Sequence, residues 1–160
     1  MLKRILEILE KNNRISSEEI AIMIGKTTEE VEKAIKELED NNIILKYTTL
    51  INWEKTEREY VTALIEVKVT PQNGEGFDKV AERIYNFREV RACYLMSGGF
   101  DLTVIVQGNS MKEVALFVAE KLSPLECVLS TATHFVLKKY KDEDIIFDKT
   151  VGDDREAIIL

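Results

Sequence analysis

Residues 61 to 69, VTALIEVKV, alternate without a break. Val61, Ala63, Ile65, Val67 and Val69 fall on one side of an extended chain, and Thr62, Leu64, Glu66 and Lys68 on the other. A period of two marks a half-buried strand. Its apolar side has to be covered, so this segment commits the chain to a sheet packed against something else. The next seventy or so residues supply the partners. Pro71 to Gly76 read as a loop, Phe77, Val80, Ala81 and Ile84 mark a helix, and REVRACYLM reads as a second strand. DLTVIVQG is a third. Ser110 and Glu113 form a capping box for the helix SMKEVALFVAEKL, whose stripe is Met111, Val114, Phe117 and Val118, and ECVLSTATHFVLKKY is a long last strand.

The order β-α-β-β-α-β predicts an α+β, ferredoxin-like unit over residues 56–140. Two helices cover only one face of its sheet. Leu64, Cys93, Leu95 and Ile105 are out of phase with the covered face, so a second copy of the sheet is the natural cover and the chain is expected to be a homo-oligomer. Residues 141–160, KDEDIIFDKTVGDDREAIIL, are acidic and rich in turn formers until the last four, and read as a mobile tail.

The first 55 residues have a different period. Leu2, Ile5, Leu6 and Leu9 recur at helical spacing up to Asn12-Asn13. Two capping boxes come next, Ser16 with Glu19 and Thr27 with Glu30, each opening a short helix, and Val31, Ala34, Ile35 and Leu38 form the stripe of the last. Ala21 lets two helices cross closely, and Gly25, four residues on, can take a left-handed turn. This is helix-turn-helix spacing. NNIILKYTTLIN then reads as a turn and an extended linker strand, and WEKTERE as a polar linker, which places a domain boundary near residue 55.

Charge tempers the reading of this domain as a nucleic-acid binder, because such a module normally carries a basic footprint. The chain has 160 residues and a net charge of −7. Residues 27 to 40 hold six acids against Lys33 and Lys36. Acids in a first turn are favoured by the helix dipole whatever the function, and base edges are read by a few side chains on one face. Thr27 at the cap and Thr28, Glu29, Glu32, Lys33 and Lys36, away from the apolar stripe, are the candidate DNA-reading residues. No apolar run approaches the roughly 18 residues of a membrane span. MLKRILEILEKNN puts charge through its apolar positions, unlike a signal peptide, so the expected location is cytoplasmic. Cys93 and Cys127 lack metal-ligand spacing, and no nucleophile-base set or carboxylate pair stands out. No metal, cofactor or catalytic residue is expected.

Between the second and third strands stands SGGFD, residues 97 to 101. A glycine pair reaches positive φ and also leaves backbone N–H groups open to a small anion, so the loop is either a plain hairpin or part of a binding site.

The succession of a helix-turn-helix, an extended linker and a β-α-β-β-α-β unit resembles the Lrp/AsnC family of feast/famine transcriptional regulators. The likeness runs to about residue 140. LEDNNII at the end of the first domain, SGGFDLTVIV and LSTATHFVLKKYK carry it most specifically, SGGFD matching the family's Gly-x-aromatic-Asp signature. The resemblance implies a DNA-binding regulator that dimerises through its sheets and assembles further, up to an octamer. It also implies an amino acid or related effector held at subunit interfaces near the hairpin. On that basis Gly98, Gly99, Phe100 and Asp101 line or shape the effector pocket, with Thr131 and Thr133 as hydroxyl donors. The third helix lacks the arginines common in the family, and Asn41-Asn42 replace its glycine-containing turn. Two alternatives share the architecture: an effector-binding oligomer without DNA binding, and a sirohaem-decarboxylase-like enzyme, for which His134 is the one histidine available.

Overall fold

The computed structural model describes residues 1–70 and 76–147. The chain divides into two compact units, the first Met1–Ile51 and the second beginning at Asn52, directly before the polar run that suggested residue 55. The first holds helices α1 (Leu2–Lys11), α2 (Ser17–Ile24) and α3 (Thr28–Asp40), the last two set by their caps. Ser16 Oγ accepts the Glu19 N–H at 3.2 Å while the Glu19 carboxylate takes the Ser16 N–H at 2.9 Å, and Thr27 and Glu30 repeat the pair at 3.2 and 2.9 Å. Each box satisfies N–H groups that a helix start leaves orphaned. Gly25 ends α2 in the left-handed conformation at φ 67°. After α3 the same task falls to Asn42 at φ 55°, and Ile43 and Ile44 both donate back to the Leu38 carbonyl. Asparagine tolerates this conformation better than most residues, which is how Asn41-Asn42 can stand where a glycine turn is usual.

Ile5, Ile8, Ile20, Ala21, Val31, Ala34 and Leu38 form the core of this unit. Leu2 lies exposed instead of in the stripe, and Ile8 is buried. The segment after Ile44 forms no strand; Asn13 Nδ2 donates to the Thr48 carbonyl and Tyr47 Oη to Glu39, so side chains hold it where a linker strand was expected.

The second unit is built on β1 (Val61–Val69), β2 (Val90–Leu95), β3 (Leu102–Gly108) and β4 (Val128–Phe135), with α4 (Phe77–Tyr85) and α5 (Met111–Phe117). The sheet order is β2-β3-β1-β4, all neighbours antiparallel. That is the ferredoxin-like arrangement. Ala63, Ile65 and Val67 of β1, Leu102, Val104 and Val106 of β3, Val80 and Ile84 of α4, and Val114 and Phe117 of α5 share one core. Phe77 and Met111 are exposed, so each helix buries a narrower stripe than its apolar residues suggest. The box at α5 is only half formed: Ser110 Oγ accepts the Glu113 N–H, but the Glu113 carboxylate takes the N–H of Asn109 at 2.7 Å.

Register corrects the reading of β2. Cys93 pairs with Val104 and Leu95 with Leu102, so both belong to the helix-facing side and not to the open face. Val90, opposite Val106, is on that side as well, three residues from Cys93. Strict alternation forbids this, and the irregularity between Val90 and Ala92 permits it by inserting a residue. Leu64 and Ile105, paired with each other, do lie on the open face.

The last strand is shorter than its apolar run. It stops at Phe135, and a hairpin of β5 (Lys141–Asp142) and β6 (Ile145–Ile146) comes after it. Glu143 and Asp144 turn it with φ of 45° and 64°, the left-handed pair that matches the twist of two strands. The tail read as mobile from residue 141 is therefore ordered to 146, while its final AIIL lies outside the described residues, as do residues 71–75 of the first loop.

Candidate functional site

On α3, Val31, Ala34 and Leu38 are buried, and Glu29, Glu32, Lys33 and Lys36 are exposed on the outer side with Thr28 half-buried at the start. The Thr27 hydroxyl is engaged in the cap: it accepts from Glu30 N–H and lies 3.3 Å from the Glu30 carboxylate. The cap hydrogen bond from Thr27, followed by the bond from Lys26, holds the Glu30 carboxyl below the usual carboxylate range. Lys26 Nζ sits 3.1 Å from that carboxylate, and Tyr47 Oη donates to Glu39 at 2.8 Å. Two of the six acids are thus engaged at the ends of the helix. The other four, Glu29, Glu32, Glu37 and Asp40, are exposed alongside Lys33 and Lys36, so the helix surface stays acidic.

The SGGFD loop joins β2 to β3. Met96 N–H donates to the Asp101 carbonyl, Asp101 N–H to the Val67 carbonyl, and Asp101 Oδ2 accepts the N–H of Val69 at 2.8 Å. Asp101 therefore clamps the loop to the end of β1, where the register shifts between Lys68 and Val69. Sequence reasoning had no means of finding the Val69 amide, since it lies 32 positions away and is a backbone group. Of the two glycines only Gly98 has positive φ, at 156°; Gly99 does not, so the need for glycine resides in Gly98.

Thr131 pairs with Val67 and Thr133 with Ile65, which puts both threonines on the helix-facing side of β4. Thr131 Oγ1 is 3.4 Å from Ser123 Oγ. Val67 is flanked by Leu102 on one side and Thr131 on the other, so Asp101 and Thr131 share one end of the sheet and Thr133 lies two residues further along.

The opposite face carries Leu64, Ile105, Thr103 and Tyr94, and Glu66 with His134 at 3.4 Å. His134 is more than half exposed there, beside one carboxylate and no other histidine. Among the described residues, no group of three His, Cys, Asp or Glu is placed to hold a metal, and no helix is long and apolar enough to cross a membrane.

Two family models match the chain: a winged helix-turn-helix DNA-binding domain at residues 2–44 and the Lrp/AsnC ligand binding domain at residues 62–146. The chain is 52% identical over 157 residues to the uncharacterised HTH-type transcriptional regulator YugG of Bacillus subtilis, covering 98% of this chain and 93% of that one. It is 32% identical over 139 residues to the HTH-type transcriptional regulator LrpA of Pyrococcus horikoshii, covering 87% and 96%. Among solved structures it is similar to the regulator NMB0573 of Neisseria meningitidis in complex with L-Met, with TM-score 0.71, 23% identity and coverage of 88% and 90%. It is also similar to AsnC of E. coli, with TM-score 0.67, 19% identity and coverage of 86% and 91%.

Proposed function

The chain belongs to the Lrp/AsnC family of HTH-type transcriptional regulators, and from that premise we propose that it reads double-stranded DNA with α3, as a dimer or larger assembly, in response to an amino acid or a close relative. One observation carries the reading: a DNA-binding helix-turn-helix and a ligand-binding domain occupy successive parts of the same chain. The regulator complexed with L-Met supports an amino acid as the effector class. As a reader of DNA, the protein belongs in the cytoplasm.

Each α3 offers two cations, Lys33 and Lys36, to phosphates. Glu29 and Glu32 accept hydrogen bonds and suit the exposed amino group of cytosine, while Thr28 suits either base type. Thr27 acts through the cap, by fixing where the helix begins. A helix with more exposed acids than lysines binds weakly alone, and two such helices joined in one dimer add through effective concentration. At the other unit, Gly98, Gly99 and Phe100 shape the effector loop, Asp101 offers carboxylate capacity beyond its bond to Val69, and Thr131 and Thr133 flank it from β4. The regulatory reading leaves His134 paired with Glu66 on the sheet face and needs no tetrapyrrole chemistry from it.

Gel-shift titrations on DNA upstream of the protein's own gene, at two salt concentrations, test the reading. Lys33→Ala with Lys36→Ala is expected to weaken binding to every fragment and to lower the salt slope by about one for each phosphate no longer neutralised. Binding with an unchanged slope would show that α3 is not the reader.

A further inference from the structure

We propose that pH sets how tightly two copies of this chain pair through the open sheet face, with Glu66 and His134 as the device. Each chain takes up one proton at this pair when a second copy covers it, so the dimer tightens as pH falls. The inference rests on the reading that the chain associates with itself by this face.

The place of the pair in the sheet carries it. β1 is an inner strand, with β3 on one side and β4 on the other. Glu66 stands opposite Thr103 of β3 and Ala132 of β4, one step along the face from Leu64, whose neighbours are Ile105 and His134. A carboxylate therefore lies within the surface that a second copy would cover, flanked by a strand on each side. His134 Nε2 is 3.4 Å from Glu66 Oε1, and the two side chains are 56% and 37% exposed. By register, the other titratable side chains of this face are Lys68 of β1 and Tyr94 of β2, while β3 contributes Thr103, Ile105 and Gln107. Lys68 is exposed and lies beyond the last β1–β3 pair, Val67 with Leu102, so the imidazole is the group at hand for Glu66.

An ion pair this open to water contributes little. Covered by a second copy, it leaves water. A carboxylate buried without a counter-charge is strongly unfavourable, and one beside an imidazolium far less so. Histidine is the side chain whose charge changes between about pH 5 and 8, and His134 is the only histidine in the chain. At the lower end of that window the pair enters the interface as carboxylate and imidazolium, with no proton to find. At the upper end a free imidazole is neutral, and association has to draw a proton from water onto the pair. Whichever of the two groups then carries it, the uptake is one proton per chain. By linkage, two protons per dimer weaken association by up to about a hundredfold for each unit of rising pH.

Full-length chains labelled with donor or acceptor dyes are mixed at about pH 6 and about pH 8, at one ionic strength, to bracket the imidazole range. Dilution followed by energy transfer gives the dimer Kd, and the rate of exchange into unlabelled chains is a second readout where dilution leaves the dimer intact. The wild-type Kd is expected to rise about tenfold or more between the two pH values, with faster exchange. His134→Gln and Glu66→Gln should each hold both readouts level, and Glu66→Gln should be tighter than wild type at the higher pH because no carboxylate is left to bury. Circular dichroism confirms that each variant folds. A merely structural His134 would shift Kd equally at both pH values. A wild-type dimer indifferent to pH, one that tightens as pH rises, or a pH dependence that survives His134→Gln would overturn the proton device and leave the dimer standing. A chain that stays monomeric at both pH values would overturn the device and the dimer together.

Discussion

Tyr47 shows how one side chain ties a stretch without regular structure to a helix. Partial removal from water, and then the bond to Glu39, push its phenol up to about 12 from an ordinary 10.0. The folded chain therefore keeps this proton where the unfolded chain has lost it. Its contribution to stability is complete below pH 10 and is lost as pH rises from 10 toward 12. Glu39→Ala should bring the Tyr47 titration part of the way back, because the larger cause, desolvation, is untouched. The difference between the alkaline absorbance titrations of the protein and of its Tyr47→Phe variant isolates this one of five tyrosines. An unchanged midpoint in Glu39→Ala would mean that the Tyr47–Glu39 bond does not persist in solution.

The β2–β3 hairpin depends on an element it does not belong to. Asp101 Oδ2 is the partner of the Val69 N–H, and Val69 is buried at 6% exposure, so water cannot easily replace the carboxylate. Asp101→Ala is expected to destabilise the protein by about 1–3 kcal/mol, the cost of an orphaned buried donor, with Asp101→Asn recovering part of it. Urea unfolding measures this without any ligand. Stability unaffected by Asp101→Ala would leave the residue to the effector alone. The same element shows what patterning conveys and what it does not. Two strands joined by SGGFD are evident from alternation and glycine, because strand period and turn chemistry are local. The bulge after Val90, which moves Cys93 to the helix-facing side, is not, because it exists only relative to β3.

For the molecule as a whole, the open sheet face is the feature that needs a partner. Leu64 and Ile105 sit opposite each other at its centre, and Tyr94, across from Thr103, is 55% exposed. A second copy of the same face supplies a cover, and two-fold pairing of identical sheets is the simplest closed assembly. Sedimentation at micromolar concentration should show a dimer or a multiple of one, and Leu64→Glu with Ile105→Glu should reduce it to monomer by burying like charges against each other. A wild-type monomer, or a double variant that stays dimeric, would remove this face from the assembly.

From sequence alone come the three helices of the first unit, two of them capped, the βαββαβ order of the second, the hairpin and the family, because caps, periods and turns are written within a few residues of each other. Tertiary structure alone decides the rest. It puts Thr27 and Glu39 into local bonds at the two ends of α3. It gives Asp101 a backbone partner from another strand. It also brings Lys138 to one cavity with Asn52, Arg58 and Thr62, across more than seventy positions of chain. The physical reason is common to all three: which groups meet is fixed by strand register and chain return, and neither leaves a trace in local periodicity.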